Sequence, residues 1–197
     1  MAEPAVITAL RRAGPGQVAL EVSGQPWRVV PEEVALAAGL RAGLFLDRDA
    51  LRRLRRELRR VEAMQAAVRA LSRCDLTRER LEERLARAGV SARQRERTLA
   101  SLERAGVVDD GRLARSRAAT LAARGWGDEA IVARLEADGI PEGERRDALA
   151  ALPSEPARAT ELAAGEADGR RAVALLARRG FSQDSIEAAV GFLDADG

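Results

Sequence analysis

The spacing of apolar residues changes character once along this chain. Near the amino terminus they come in short runs: Val6-Ile7, then Val18-Ala19-Leu20-Glu21-Val22, then Trp27-Arg28-Val29-Val30. Gly14-Pro15-Gly16 and Ser23-Gly24-Gln25-Pro26 separate these runs and read as turns. Val18, Leu20 and Val22 alternate with their neighbours, so one face is buried. The pattern predicts a small antiparallel sheet of about three strands over residues 4–30. Pro31 suits the first turn of a short helix, which Gly39 and Gly43 end or bend.

Beyond Asp47 the step becomes three and four. Leu51, Leu54, Leu58, Val61, Met64, Val68 and Leu71 lay one stripe along a long helix that opens at Asp47 or Asp49 and runs to about Arg73. Thr77 then caps a helix to Ala88, with Leu81 and Leu85 inward and Gly89 as the left-handed residue after its end. Ser91-x-x-Gln94 reads as a capping box for the next helix, which turns Leu99 and Leu102 inward and stops at Gly106. A further helix runs from about Gly111 to Arg124.

The chain then repeats itself. With a shift of 50, Leu121, Ile131, Leu135, Gly139 and Ile140 fall on Leu71, Leu81, Leu85, Gly89 and Val90. With a further 55, Leu176, Gly180, Phe181, Ile186 and Val190 fall on Leu121, Gly125, Trp126, Ile131 and Leu135. Thr77, Gly127 and Ser182 are all acceptable helix starts. A period of this size with recurring helix punctuation marks stacked helical units. The expected divisions are a β-containing segment over 1–47, the long helix and first repeat over 48–111, a second repeat over 112–156, and a linker helix with a shorter third repeat over 157–197.

Composition narrows the chemistry. Among 197 residues there is no histidine, tyrosine or lysine, and all 33 basic residues are arginine. A Walker A motif needs lysine, and a serine triad or an imidazole–thiol zinc site needs histidine or more than the single Cys74. The expectation is no catalysis, no cofactor and no metal. Cys74 excludes an internal disulfide and points to a reducing compartment. The start MAEPAVITALRRAG has no apolar run of the signal-peptide type, and no stretch has the ~20 apolar residues of a membrane span. The expected setting is cytoplasmic and away from membranes.

Charge is distributed unevenly. Residues 1–111 carry a net +5 and residues 153–197 a net −3. Arg52, Arg53, Arg55, Arg56, Arg59 and Arg60 crowd the polar side of the long helix and meet only Glu57 within nine residues. A solvated helix face usually alternates its charges. Arginine's planar fork, by contrast, grips phosphate or carboxylate through paired hydrogen bonds. Arg52, Arg56 and Arg59, with Arg73, Arg84 and Arg87 from the first repeat, are the candidate partner- or phosphate-binding residues. Asp109 and Asp110 could bind magnesium, but an aspartate just before a helix caps it, and a second one favours the positive end of the dipole. Trp126 and Phe181 each follow a helix-ending glycine; they could stack a base, but recurrence at one position favours packing.

Several of these features, in order, resemble the RecX family of recombination regulators. They are Leu71-Ser72-Arg73, the helix ending at Gly89, Gly106-Val107-Val108-Asp109-Asp110-x-x-Leu113-Ala114, Gly125-Trp126-Gly127, Leu135-x-x-x-Gly139-Ile140 and Arg179-Gly180-Phe181. The resemblance covers about 63–193, with arginine where that family often has lysine. It implies a mainly α fold of tandem three-helix repeats in an elongated curved stack, preceded by the small amino-terminal antiparallel β segment. In that setting Asp109, Asp110, Gly125, Trp126, Gly139, Gly180 and Phe181 are structural motif residues. It further implies a monomeric regulator that binds the RecA nucleoprotein filament and inhibits its ATPase, strand-exchange and coprotease activities in DNA repair and the SOS response. Contact with single- or double-stranded DNA would be weak. The residues alone leave two alternatives open: a direct DNA-binding helical protein acting without RecA, and a magnesium-dependent hydrolase using Asp109 and Asp110.

Overall fold

The computed structural model describes residues 5–166 and 168–195. Position 4 of the expected sheet and the last residues of the expected tail lie outside that range. The described residues form a three-stranded sheet followed by ten helices, so the fold is mainly α with an amino-terminal β segment. Two compact units interleave in sequence, one formed by 1–73 with 84–98 and the other by 74–83 with 99–197.

In the first unit, β1 (Ile7–Gly14), β2 (Gln17–Val22) and β3 (Gln25–Pro31) pair antiparallel in sequence order. Leu10 lies opposite Leu20, and Val18 opposite Val30. That register puts the alternating apolar residues of β2 on one face, against α1 (Glu32–Ala37) and α2 (Arg48–Leu71). Ile7, Leu20, Val30, Val34, Leu54, Leu58 and Val61 form the core there. Asp47 caps α2, its carboxylate accepting the Ala50 N–H at 2.7 Å.

The stripe on α2 holds only as far as Val61. Beyond Val61 the buried residues are Ala63 and Ala67, while Val68 is 55% exposed. The same choice recurs in later first helices, where Ala114, Ala118, Ala159 and Ala163 are fully buried. Helix axes approach as closely as the side chains between them allow, and alanine allows the most. A hydrophobicity pattern favours the larger residue and so misplaces this face by one position.

In the second unit, α5 (Asp110–Ala123), α6 (Asp128–Ala137) and α7 (Glu142–Ala150) pack around Ala114, Ala118, Ile131, Leu135, Ile140 and Ala148. Next come α8 (Glu155–Ala163), α9 (Gly169–Arg178) and α10 (Gln183–Ala195), around Ala159, Ala163, Ala172, Leu176, Phe181, Ile186 and Ala189. Ala118 and Ala159, Ile131 and Ala172, Leu135 and Leu176, Ile140 and Phe181, and Ala148 and Ala189 are each 41 positions apart.

The register expected from sequence is therefore corrected from 55 to 41. Phe181 takes the place of Ile140, not that of Trp126, and α8 packs as the first helix of a third repeat. The misreading arises because a glycine followed by a large apolar residue ends both α5 and α9. The backbone meaning is shared: Gly125, Gly139 and Gly180 all take φ near +75°, where a side chain is strained. The residue after each then returns its N–H to the helix, as Phe181 does to the Leu176 carbonyl at 3.2 Å.

Candidate functional site: an arginine-lined cleft

Two helix–helix joints of the second unit fix the motif residues. α3 (Arg78–Arg87) begins beside the end of α6, where the Thr77 hydroxyl donates to the Asp138 carbonyl at 3.1 Å and Arg80 Nη2 donates to the Ala137 carbonyl at 2.6 Å. α6 in turn begins beside the end of α9, where the Gly127 N–H donates to the Arg179 carbonyl at 2.8 Å. Each joint carries a carboxylate from the following repeat. Asp110, at the start of α5, accepts the Arg78 N–H at 2.9 Å, and Glu155, at the start of α8, accepts the Asp128 N–H at 2.7 Å.

Asp109 and Asp110 thus serve different helices. Asp109 caps its own, accepting the Arg112 N–H at 2.8 Å, while Asp110 caps α3. Burial pushes the Asp110 carboxyl up, and the nearby charges of Glu103 and Asp109 add to this against the Arg78 hydrogen bond. Among the described residues no group of three or more Asp, Glu, Cys or His side chains is placed to hold a metal ion. Asp109→Ala and Asp110→Ala should each cost about 1 kcal/mol. Amide exchange separates them: Asp109→Ala should expose the Arg112 N–H, and Asp110→Ala the Arg78 N–H. Faster exchange at Arg112 in both variants would contradict the two-helix assignment.

At the second joint, Arg158 is nearly buried and fully engaged. It pairs with Asp128, donates to the Trp126 carbonyl at 2.8 Å and the Pro153 carbonyl at 3.1 Å, and lies 5.8 Å from the Phe181 ring centroid. Arg179 lies 5.0 Å from the Trp126 ring centroid. Each aromatic ring therefore has an arginine beside it and packs against a helical core.

The first unit holds a different arrangement. α4 (Ala92–Arg104) starts alongside α2, and a cleft of about 380 Å³ lies between them. Its walls are Arg52, Arg55, Arg56 and Arg59 from α2, with Ser91, Arg93, Gln94 and Arg97 from the start of α4. Steps of three and four bring the α2 arginines onto one stripe, and Arg93 and Arg97 are one turn apart. No carboxylate lines the cleft. Arg52 pairs with Asp49 at 3.1 Å outside it, and Arg56 with Glu57 at 3.2 Å. A hydrogen bond from Arg60 is the main influence drawing the Glu57 carboxyl below its usual range, with a second one from Arg56. Arg55, Arg59, Arg93 and Arg97 have no carboxylate within ion-pair distance among the described residues. The first turn of α4 contains no acidic residue, so the positive end of its dipole adds to the field.

The structure thus brings Arg52, Arg56 and Arg59 together with three arginines not singled out from sequence: Arg55, Arg93 and Arg97. It does not bring in the other three. Arg73 lies past the end of α2, and Arg84 and Arg87 sit on the last turn of α3, where both are engaged by neighbours. The signal for Arg93 and Arg97 is a four-residue spacing within a run of three arginines that holds one acid, Glu96. The inward leucines Leu99 and Leu102 dominate the pattern of α4 and mask this pair.

No helix among the described residues is long and apolar enough to cross a membrane. No family model matches the sequence. Regulatory protein RecX of Halorhodospira halophila (strain DSM 244 / SL1) is 31% identical over 141 residues, which span 66% of this chain and 88% of that protein. A crystal structure of regulatory protein RecX superposes with a TM-score of 0.77 over 94% of this chain and 98% of its own, at 22% identity. The crystal structure of RecX from Lactobacillus salivarius gives 0.62 over 70% and 97%, at 21% identity. At such identities the two solved structures speak for the fold.

Proposed function

This chain belongs to the RecX family, and from that premise we propose that it regulates the RecA recombinase by binding the RecA nucleoprotein filament and inhibiting its ATP hydrolysis, strand exchange and coprotease activity. The observation that carries the reading is the cleft of six arginines with no carboxylate in its walls. A filament of protein on DNA offers both acidic side chains and phosphates, and such a cleft suits either. Tandem helical repeats offer repeated surfaces to a partner that is itself a repeating array. Bridging neighbouring protomers hinders the movements that accompany nucleotide turnover. The chain acts as a monomer in the cytoplasm, with no cofactor and no chemistry of its own.

Single-stranded-DNA-dependent ATP hydrolysis by RecA, with this protein titrated well below the RecA concentration, tests the reading. Hydrolysis should fall at substoichiometric amounts. The combined variant Arg52→Glu, Arg56→Glu, Arg59→Glu should lose that inhibition while its helical circular dichroism stays unchanged. Full inhibition by the variant would remove this face from the contact. No inhibition by the unaltered protein, together with tight salt-sensitive binding to DNA alone, would favour a protein that acts on DNA directly.

A further inference from the structure

We propose that the cleft between α2 and the start of α4 is a binding site for a run of phosphate groups, and not for an acidic protein side chain. The inference rests on the reading above only in that both concern the same arginines. It assigns the ligand class of the cleft itself.

Three observations carry it. The first is the lining, which contains arginine, serine and glutamine and no apolar or aromatic side chain. Protein partners add aromatic or apolar anchors in desolvated pockets to whatever arginine contacts they make. A nucleobase needs an aromatic platform. This cleft offers neither, so whatever it holds is recognised by charge and by hydrogen-bond acceptors.

The second is the excess of charge over any single carboxylate. Six arginines line one space of about 380 Å³, a volume within the usual range of ligand sites. One aspartate or glutamate would offset one of the six. Consecutive phosphates supply several negative charges and a row of oxygens, and arginine's fork matches them in pairs. The two arginine rows, one on each helix, suit a linear array of anions better than a point.

The third is that the positive charge is left in place by the fold. Glu57 and Asp49 draw on Arg56 and Arg52 from outside the cleft. Arg55, Arg59, Arg93 and Arg97 have no such partner among the described residues. The repulsion among them is relieved when an anion enters, and the first turn of α4 reinforces the attraction.

Phosphates in a row come from a nucleic-acid backbone or from a free polyphosphate chain, and two probes distinguish these sources. Binding of the full chain to tripolyphosphate is measured by calorimetry, and binding to a labelled oligothymidylate by anisotropy, both without RecA and over a range of salt. Both probes should bind, and tripolyphosphate should raise the thermal midpoint of the protein. The variant Arg55→Gln, Arg93→Gln, Arg97→Gln should bind roughly tenfold or more weakly. Its log–log salt dependence on the oligonucleotide should be shallower by about 2. Arg146→Gln, an exposed position on α7, serves as the control and should change neither.

Displacement of the oligonucleotide by tripolyphosphate at comparable concentration would support the site and identify a free polyphosphate as a competent source. Oligonucleotide binding that tripolyphosphate displaces only in large excess would support it with the backbone as the source. Equal binding of the triple variant and the unaltered protein would overturn it. So would a polyglutamate peptide that binds as tightly as the phosphates. The RecA assay is independent: a variant that loses phosphate binding yet still inhibits RecA refutes the cleft's part in regulation and leaves the site itself standing.

Discussion

Gly127→Ala should destabilise the second unit by about 3 kcal/mol, at the upper end of the range for overpacking. Gly127 begins α6 at the place where that helix meets the end of α9. A methyl group there would lie 2.2 Å from the Gly180 carbonyl oxygen and 2.4 Å from the Phe181 nitrogen. Those atoms are backbone and cannot swing aside. The Gly127 φ of −79° is open to any residue, so close approach, and not conformation, imposes the glycine. Either α9 moves away, breaking the Gly127–Arg179 hydrogen bond, or α6 loses its first turn. Chemical denaturation followed by circular dichroism measures the loss. The contrasting substitution Gly143→Ala, where a methyl group meets nothing within 4 Å, should be neutral or slightly stabilising because alanine favours the helix. Equal effects at both positions would mean that α6 and α9 do not meet as described.

Glu155→Gln should cost about 1–3 kcal/mol at neutral pH, and the difference should shrink on acidification. Glu155 accepts the Asp128 N–H at 2.7 Å, the Ser182 N–H at 3.3 Å and the Ser185 hydroxyl at 2.8 Å, with the Ser182 hydroxyl on the same oxygen as these last two. It therefore holds the first turns of two helices, α6 and α10, from the start of a third. Burial acts to raise its pKa, but the hydrogen bonds from Ser182, Asp128 and Ser185 outweigh it and hold the carboxyl below its ordinary value. A depressed folded value means that the ionised group stabilises the fold above the ordinary carboxylate range. That contribution disappears as the pH falls through the folded value. Asp128 has the opposite sign. Burial pushes it up, the charge of Glu155 adds, and Arg158 opposes, so its contribution is lost as the pH rises through its folded value. Urea midpoints of the variant and the unaltered protein should therefore be well separated at pH 7 and converge below the ordinary carboxylate range. A gap that widened with acid would show that the neutral carboxyl, and not the carboxylate, holds the joint.

At both joints a later repeat caps a helix of the one before it. Asp110 and Glu155 do the same work one unit apart, yet they lie 45 positions apart where the repeat is 41. Each is the first residue of its helix, but α8 starts one helical turn later in the repeat, and the longer side chain reaches the same kind of helix start. No alignment of identical residues would pair an aspartate with a glutamate four positions out of register. Only the shared target, the first N–H of the preceding unit's second helix, shows that they correspond.

Sequence by itself determined the elements. Alternation in β2, three-and-four spacing in α2, cap residues such as Asp47 and Asp109, and glycines such as Gly89 and Gly139 are local demands, set within one or two turns of chain. For that reason the mainly α fold, the amino-terminal sheet, most helix limits and the arginine stripe on α2 were all legible. Tertiary structure decided which elements face one another. It chose the alanines over Met64 and Val68 where helices close on each other, and it set the third unit in register by packing Leu176 with Phe181. It sent Asp110 to another helix than its neighbour Asp109. It also joined Arg93 and Arg97 to a stripe some forty residues earlier in the chain. These are choices among surfaces that are equally good locally, and the pairwise packing that ranks them leaves no periodic trace in the chain.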